Sequence, residues 1–243
     1  SAVKLLAAGG ALAKAWAGRG LGLYPSADGA VPADLFDVNQ AASRLHVPEV
    51  LMTYTADEAN AFIGMAPEQA FSVAAVRGFI AGNFAQPQGV FEALAAEAPE
   101  ATAKQLMARA MTLHQIQLYA VEFADQAVAQ GASVQLFGFE LSSPLPNAGS
   151  AHCFELPFLF GNRQAWHDAP MLDGITEETF SAAAAQLGGA LGAFIRTGRA
   201  ASDSGESLPL HAPGVQSLTA LTESGLVQRE IDRRFAAKRQ VLA

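Results

Sequence analysis

The stretch that decides the fold spans residues 132–162 and reads ASVQLFGFELSSPLPNAGSAHCFELPFLFGN. Its first ten residues are rich in aromatic and branched side chains, which predicts a buried strand. The Ser- and Pro-rich segment after that strand predicts a loop, and this loop ends at His152. An apolar Leu-Pro-Phe-Leu-Phe run follows shortly after the histidine. His152 is therefore either a structural histidine at the boundary of the core or a base held at the edge of a pocket.

A second segment, HVPEVLMTYTADE at residues 46–58, has the same arrangement of a strand followed by ionisable side chains. Its apolar run predicts a strand at about residues 49–54. The acidic turn after this strand contains Asp57 and Glu58. The two predicted strands thus each lead into a loop that carries a side chain capable of acid–base chemistry.

The residues between the two strands, 60–131, have helical patterning with breaks near Pro67, Pro87 and Pro99. Two buried strands joined by a helical stretch predict a parallel sheet in an α/β protein. A buried parallel strand needs a neighbour on each side, and an isolated pair would leave apolar edges open. We therefore expect these two strands to be the end of a larger sheet.

Three further helices and one long loop are predicted outside this unit. Residues 1–17 are predicted to form a helix, and the Gly- and Pro-rich residues 18–36 a loop. A long helix is predicted for residues 176–196, with Thr176 as its N-cap. Residues 226–242 are predicted to form a final amphipathic helix.

The amino-acid composition argues against several classes of protein. The chain has 243 residues, of which 51% are hydrophobic and 16% charged, and this excludes a disordered protein. The net charge of −8 argues against a nucleic-acid-binding surface, and no apolar run is long enough for a membrane span. The single cysteine cannot form an internal disulfide, which slightly favours the cytoplasm. The other histidines lack metal-ligand spacing, so no metal or other cofactor is expected.

Glu58 and His152 are the candidate pair for chemistry. In open α/β sheets, sites form where loops leave the carboxyl ends of strands, which places both side chains at one edge of the sheet. A carboxylate there can accept the imidazole N–H, fix its tautomer and stabilise the imidazolium during acyl transfer. Asp57 is an adjacent candidate for the same acid. An acid that precedes the histidine is also the chain order of the α/β-hydrolase triad.

Five segments resemble the type-B carboxylesterase/cholinesterase family in their order and spacing. They are PSADGAVPADLF, VPEVLMTYTADEANAF, VQLFGFELSSP, GSAHCFELPFLFGN and LGGALGAFIRTG. The segment around the histidine is the most specific, and it looks like the family's G-A-x-H-x-x-E-L-P-F-V-F-G pattern. The resemblance covers roughly residues 20–200.

This resemblance implies the C-terminal portion of an α/β-hydrolase sheet, with a long helical insertion between its last strands. Residues 1–243 then form the C-terminal half of one domain, and the insertion at 60–131 lines the substrate pocket. The phenylalanines of this insertion fit either such a lining or ordinary core: Phe62, Phe71, Phe79, Phe84 and Phe91.

The same resemblance implies that Glu58 is the acid of a catalytic triad and His152 its base. Glu155, three residues after the histidine, could by itself bind a cation or hydrogen-bond to a loop. By the resemblance it is a structural acid that supports the pair.

The nucleophile of such a triad is missing from this sequence. The family's G-x-S-x-G elbow and its Gly-rich oxyanion loop match no segment of the chain. Ser142, Ser143 and Ser150 share the loop of His152 and lack the strained strand-to-helix turn that exposes a nucleophile. The chain also opens on Ser1 rather than Met.

We therefore expect a serine carboxylic-ester hydrolase that is active on small-molecule esters only when combined with its N-terminal half. The nucleophile serine and the oxyanion hole are expected to come from a separate N-terminal polypeptide or from a missing segment.

Two other functions compete with this one. A non-catalytic, cholinesterase-like module could serve binding or adhesion, but such a module has no need to retain both Glu58 and His152. Ser1 as the N-terminal nucleophile of an autoprocessed amidohydrolase would require a strand at the start of the chain, where a helix is predicted. Cys153 is expected to be an inert, buried thiol.

Overall fold

The computed structural model describes residues 1–15, 32, 37–213, 218–230 and 235. Within these residues four strands form one sheet, in the order in which they follow along the chain. They are β1 (Glu49–Thr55), β2 (Ser133–Phe139), β3 (Leu218–Thr222) and β4 (Gly225–Arg229). The β1–β2 and β2–β3 pairs are parallel, and the β3–β4 pair is antiparallel. Both predicted strands are therefore found, and their parallel pairing is confirmed.

Helices precede the first strand and fill the connections from β1 to β2 and from β2 to β3. They are α1 (Ala2–Ala15), α2 (Val38–Ser43), α3 (Asn60–Ile63), α4 (Val73–Asn83), α5 (Pro87–Glu97), α6 (Ala103–Thr112), α7 (Leu118–Ala129), α8 (Leu156–Leu159) and α9 (Glu177–Thr197). Short 3₁₀ turns occupy Glu68–Ala70, Arg163–Trp166 and Pro170–Leu172, and a π-helical turn at Leu113–Gln117 joins α6 to α7. No helix within the described ranges combines the length and the apolar composition that a bilayer crossing needs.

The insertion between β1 and β2 is helical, as predicted, and runs from α3 to α7. Ser72 caps α4 by accepting a hydrogen bond from the N–H of Ala75. Pro87 lies in the first turn of α5, where its missing N–H costs nothing. Thr102 and Gln105 form a capping box at the start of α6. The insertion is therefore a group of short helices whose boundaries are set by local sequence.

Side chains of β2 alternate between two cores, because successive residues of a strand point to opposite faces of the sheet. Val134 and Leu136 pack in a cluster with residues of α7 on one face. Phe137 and Phe139 pack with α8 and α9 on the other face. A third cluster, which includes Phe84, lies mainly within the insertion. β2 is consequently covered on both faces, as a buried parallel strand should be.

β1 is the edge strand of the sheet within the described part of the chain. The N–H of Ala56 donates to the carbonyl of Phe139, and in a parallel ladder this pairs the even-numbered residues of β1 with β2. Leu51 and Thr53 therefore direct their backbone N–H and C=O groups away from β2. The open edge expected from the sequence is this one.

Two of the helices predicted outside the strand–insertion–strand unit are found in the structure. The helix predicted for residues 1–17 is found as α1 over residues 2–15, and residues 16 and 17 lie outside the described residues. The helix predicted for residues 176–196 is found as α9. Thr176 is the N-cap of α9, as predicted, and accepts a hydrogen bond from the N–H of Thr179. Of the loop predicted for residues 18–36, only residue 32 belongs to the described part of the chain.

The prediction of a helix at residues 226–242 is wrong at its start, where residues 225–229 form β4. β4 pairs with β3 through a two-residue turn, and Gly225 follows that turn with a φ of 95°, a value that favours glycine. The apolar and basic side chains after residue 225 imitate a helical pattern, but the turn forces the chain back along β3. Residues 231–234 and 236–243 of that prediction lie outside the described residues.

Candidate active site

Glu58 lies just beyond the carboxyl end of β1, and only 8% of its side chain is exposed. Its Oε1 atom accepts a hydrogen bond from the backbone N–H of Thr55 at 2.8 Å. Its Oε2 atom lies 2.6 Å from Nδ1 of His152. One oxygen is thus bound by the edge strand and the other by the imidazole, so the carboxylate is held in a single orientation.

His152 lies in the loop beyond β2, and 47% of its side chain is exposed. The structure therefore brings together two candidate residues that are 94 positions apart in the sequence. A carboxylate at Nδ1 favours the tautomer in which Nδ1 carries the proton and Nε2 can accept one. This is the arrangement of a general base oriented by an acid, with Nε2 left for a reacting group.

The loops that carry the two side chains are tied to each other by Ser150 and Asp57. The N–H of Ser150 donates to Oδ2 of Asp57 at 3.0 Å, and the N–H of Asp57 donates to the carbonyl of Ser150 at 2.9 Å. The hydroxyl of Ser150 donates to the carbonyl of Phe139 at the end of β2. Asp57, the adjacent candidate for the acid, thus binds the histidine loop backbone, whereas Glu58 binds the imidazole.

Gly149 makes this close approach of the two loops possible. Its φ of 55° is rarely adopted by other residues. A Cβ atom at this position would lie 2.4 Å from Oδ2 of Asp57, which is too close for any real contact. The glycine that begins the histidine segment is therefore required by Asp57 as well as by the backbone conformation.

α3 holds the acid loop from its other side. The N–H of Ala59 donates to the hydroxyl of Thr112, the last residue of α6, at 3.0 Å. The side-chain amide of Asn60 donates to the carbonyl of Ala148 in the histidine loop at 3.0 Å. The segment after Glu58 is consequently bound both to the insertion and to the loop of His152.

Phe62, one of the phenylalanines that fit either a pocket lining or core, lies beside the imidazole, a contact that the sequence did not predict. Its ring lies 5.2 Å from the imidazole of His152, centroid to centroid, and is tilted by 36° from it. The residue remains 63% exposed, so it is not core. Among the other phenylalanines of the insertion, Phe84 is fully buried, and Phe79 and Phe91 pack against the same core cluster. The sequence signal for the contact with the imidazole is weak, since Phe62 follows Glu58 by four residues but only Phe62 lies on the short helix α3.

A largely apolar cavity of about 220 Å³ lies behind the Glu58–His152 pair. Its lining comes from β1, β2, α9 and the segment after the histidine: Leu51, Thr53, Tyr54, Glu58, Phe137, Phe139, His152, Glu155, Leu159, Leu187, Ala190 and Leu191. The insertion contributes no residue to this cavity. That residues 60–131 line a substrate pocket therefore stays a prediction.

Glu155 reaches the same cavity, as a neighbour of the pair. Within the described part of the chain, its Oε2 atom is buried and has no hydrogen-bond partner. Burial raises the pKa of this carboxyl, and the negative charge of Glu58 raises it further. A raised pKa favours the protonated form, which removes repulsion between two neighbouring acids.

Cys153 is exposed, so the expectation of a buried thiol is wrong. Its φ of 67°, which a residue other than glycine rarely adopts, lies in the turn between the histidine and the apolar run. Desolvation and the charges of Glu155 and Glu58 raise the pKa of the thiol. The thiolate is thereby disfavoured, and an unreactive cysteine remains the expectation.

The serines nearest to the histidine serve the loop itself. The Ser150 hydroxyl is buried on the carbonyl of Phe139, and the Ser143 hydroxyl donates to the carbonyl of Met171 at 2.7 Å. Neither hydroxyl contacts His152. The residues that the structure describes also include no group of three or more His, Cys, Asp or Glu side chains placed to hold a metal ion.

The chain is similar in sequence to two hydrolases. It is 33% identical over 102 residues to the probable N-octanoylanthranilate hydrolase AqdA2 of Rhodococcus erythropolis, a match that covers 42% of this chain and 22% of that protein. It is 36% identical over 67 residues to the phenmedipham hydrolase of Pseudarthrobacter oxydans, covering 27% of this chain and 14% of that protein. No protein-family model matches the chain.

The structure is similar to those of two solved esterases. The Geobacillus stearothermophilus carboxylesterase EST55 superposes with a TM-score of 0.67 at 22% identity, over 89% of this chain and 46% of that one. PNB esterase superposes with a TM-score of 0.55 at 19% identity, over 79% of this chain and 38% of that one. At these identities the likeness shows a shared fold alone. The chain spans less than half the length of all four proteins.

Proposed function

Since the chain is related to the type-B carboxylesterases and has part of their α/β-hydrolase fold, we propose that it supplies the acid and the base of a serine carboxylic-ester hydrolase. Glu58 is the acid and His152 is the base. The observation that carries this proposal is the 2.6 Å contact between Oε2 of Glu58 and Nδ1 of His152, at the carboxyl ends of two adjacent parallel strands.

His152 then moves one proton in each half of the reaction. Its Nε2 atom takes the proton of a serine hydroxyl as the serine oxygen attacks the ester carbonyl, and the imidazolium that forms is stabilised by Glu58. The same proton passes to the leaving alcohol when the tetrahedral intermediate collapses to the acyl-enzyme. In the second half, Nε2 takes a proton from water as the water oxygen attacks the acyl carbonyl. The imidazolium then returns this proton to the serine oxygen as the bond from that oxygen to the acyl carbon breaks and the carboxylic acid leaves.

The nucleophile serine and the oxyanion hole are proposed to come from a polypeptide portion outside this sequence. The sequence has no G-x-S-x-G segment, and the hydroxyls of Ser143 and Ser150 are bound to backbone carbonyls. The outward backbone groups of Leu51 and Thr53 suit the addition of a further strand to β1. The apolar cavity beside that edge suits burial of side chains from the same portion.

Labelling with a fluorophosphonate, which reacts with activated serines, tests this proposal in the protein assembled with its nucleophile-bearing portion. We expect one labelled serine, in a G-x-S-x-G segment outside this sequence, and we expect the His152→Ala variant not to be labelled. Labelling of Ser142, Ser143 or Ser150 would overturn the proposed division of the triad. Absence of any labelling would favour the alternative of a non-catalytic binding or adhesion module.

A further inference from the structure

α6 contacts the segment after Glu58 at both of its ends. At its carboxyl end, the Thr112 hydroxyl accepts the N–H of Ala59. At its amino end, the Lys104 ammonium donates to the carbonyl of Gly64 at 2.6 Å and to that of Ala66 at 2.7 Å. α6 thus lies along α3 and binds the backbone before and after it.

Lys104 is a buried cation, with a relative exposure of 7%. Burial of an ammonium group is costly unless hydrogen bonds replace its water. The two carbonyls replace part of that water, and the carboxylate of Glu68 lies 4.0 Å away. Gly64 is the C-cap of α3, where helix carbonyls lack internal partners, and Ala66 follows two residues later in the turn after the helix.

α3 depends on such external contacts for its position. It is a single turn of four residues, too short to be stable by its own hydrogen bonds. None of its residues is buried. Phe62 within it is mostly exposed, so little apolar burial fixes its ring over the imidazole of His152.

We propose that Lys104 is a positioning residue for His152. Through the carbonyls of Gly64 and Ala66 it fixes α3, and α3 places the Phe62 ring against the imidazole. The ring then restricts rotation of His152 on the side that Glu58 does not hold. This inference rests on the proposed function only in giving His152 a catalytic role; the contact between Lys104, α3 and Phe62 can be tested without it.

The test is NMR of the histidine ring signals in the assembled protein, labelled with ¹³C at histidine Cε1. A His152→Gln variant identifies the signal of His152, which carries the ring-current shift of Phe62. Phe62→Leu should displace this signal, and Lys104→Met should displace it in the same direction. Lys104→Arg, which keeps the charge and the donors, should restore most of the original position.

Lys4→Met is the matched control, because Lys4 is exposed on α1. It should leave every histidine signal in place. The signal of His211, which is hydrogen-bonded to Asp125, reports whether the Lys104→Met variant keeps its fold. A folded Lys104→Met variant with an unmoved His152 signal would overturn the proposal. If that variant does not fold, an unmoved His152 signal in Phe62→Leu overturns it equally.

Steady-state kinetics separate this inference from the proposed function. With a chromogenic ester, Lys104→Met should lower kcat by roughly 10- to 100-fold and leave KM nearly unchanged, as expected for a misplaced catalytic group. If the NMR signal moves but the wild-type protein hydrolyses no ester, the proposed function fails and the positioning contact stands. If ester hydrolysis is normal in both proteins and the NMR signal does not move, only the positioning role fails.

Discussion

Glu58 contacts His152 with one carboxylate oxygen and the backbone of its own strand with the other. The acid is therefore fixed by the last amide of the sheet edge, and the imidazole takes its orientation from the acid. Asp57, one residue earlier, does not share this role, because it binds the backbone of Ser150. The two neighbouring acids thus have different partners, the imidazole for Glu58 and a loop backbone N–H for Asp57.

Glu58→Gln should abolish most ester hydrolysis with little effect on folding. The amide keeps the size of the side chain but loses the negative charge that stabilises the imidazolium and holds its tautomer. We expect kcat to fall on the order of 10³- to 10⁴-fold. Asp57→Asn is the control: its amide oxygen can still accept the N–H of Ser150, and kcat should fall far less. Equal losses in the two variants would contradict the assignment of Glu58.

Gly149→Ala should destabilise the protein more than Gly131→Ala does. Both glycines have positive φ, but a Cβ at Gly149 would collide with Asp57, whereas one at Gly131 would have no atom within 4 Å. We expect a cost of about 1–2 kcal/mol at Gly131 from the backbone alone, and a larger cost at Gly149. Urea unfolding measures both values, and equal costs would show that Asp57 does not require this glycine.

Glu155→Gln should change how stability depends on pH. Burial and the charge of Glu58 raise the pKa of this carboxyl, so the folded protein holds the proton more tightly than the unfolded chain does. This contribution to stability is complete at low pH and is lost as the pH rises through the range where the folded carboxyl ionises.

The free energy of unfolding of the wild type should therefore fall, relative to that of Glu155→Gln, as the pH rises from about 4 towards neutrality. Chemical denaturation at a series of pH values measures the difference. Glu223→Gln, a substitution in the exposed turn between β3 and β4, is the control. Its free energy of unfolding, plotted against pH, should give a curve parallel to that of the wild type. Parallel curves for Glu155→Gln would contradict the raised pKa.

Leu51→Asp should weaken association with the proposed nucleophile-bearing portion. Leu51 lies on the edge strand and lines the apolar cavity, so a carboxylate there would be buried on assembly without a partner. Val47→Asp adds the same charge four residues away, at a side chain that is 54% exposed and does not line the cavity. Native mass spectrometry should show loss of the complex for Leu51→Asp alone. Loss in both variants, or in neither, would argue against docking at this edge.

The spacing of apolar residues and the positions of prolines and helix caps predict much of the fold. The residues around β1 and β2 are apolar and branched, and the prolines and caps of the insertion divide its helices where the structure divides them. β3 and β4 escaped prediction because each has only five residues, and their pairing depends on a turn at Gly225 rather than on a long apolar run. Because β4 is so short, the apolar residues that follow it in the sequence dominate the pattern, and this pattern therefore predicts a helix for the whole segment after Leu226.

Only part of the candidate site can be predicted from the sequence. A strand followed by an acid, and a strand followed by a histidine, are local patterns that meet because parallel strands end at the same edge. The contacts of Phe62, Thr112 and Lys104 are not local in this sense. They depend on how α6 packs along α3, and no spacing within either segment encodes that packing.

The most direct test of the central claim is ester hydrolysis by the assembled protein with His152 replaced. The claim is that Nε2 of His152, oriented by Glu58, moves the proton between the serine, the leaving alcohol and water. The His152→Ala variant should therefore lose nearly all turnover of 4-nitrophenyl butyrate while still binding its nucleophile-bearing portion. Hydrolysis at the wild-type rate by that complex would contradict the claim.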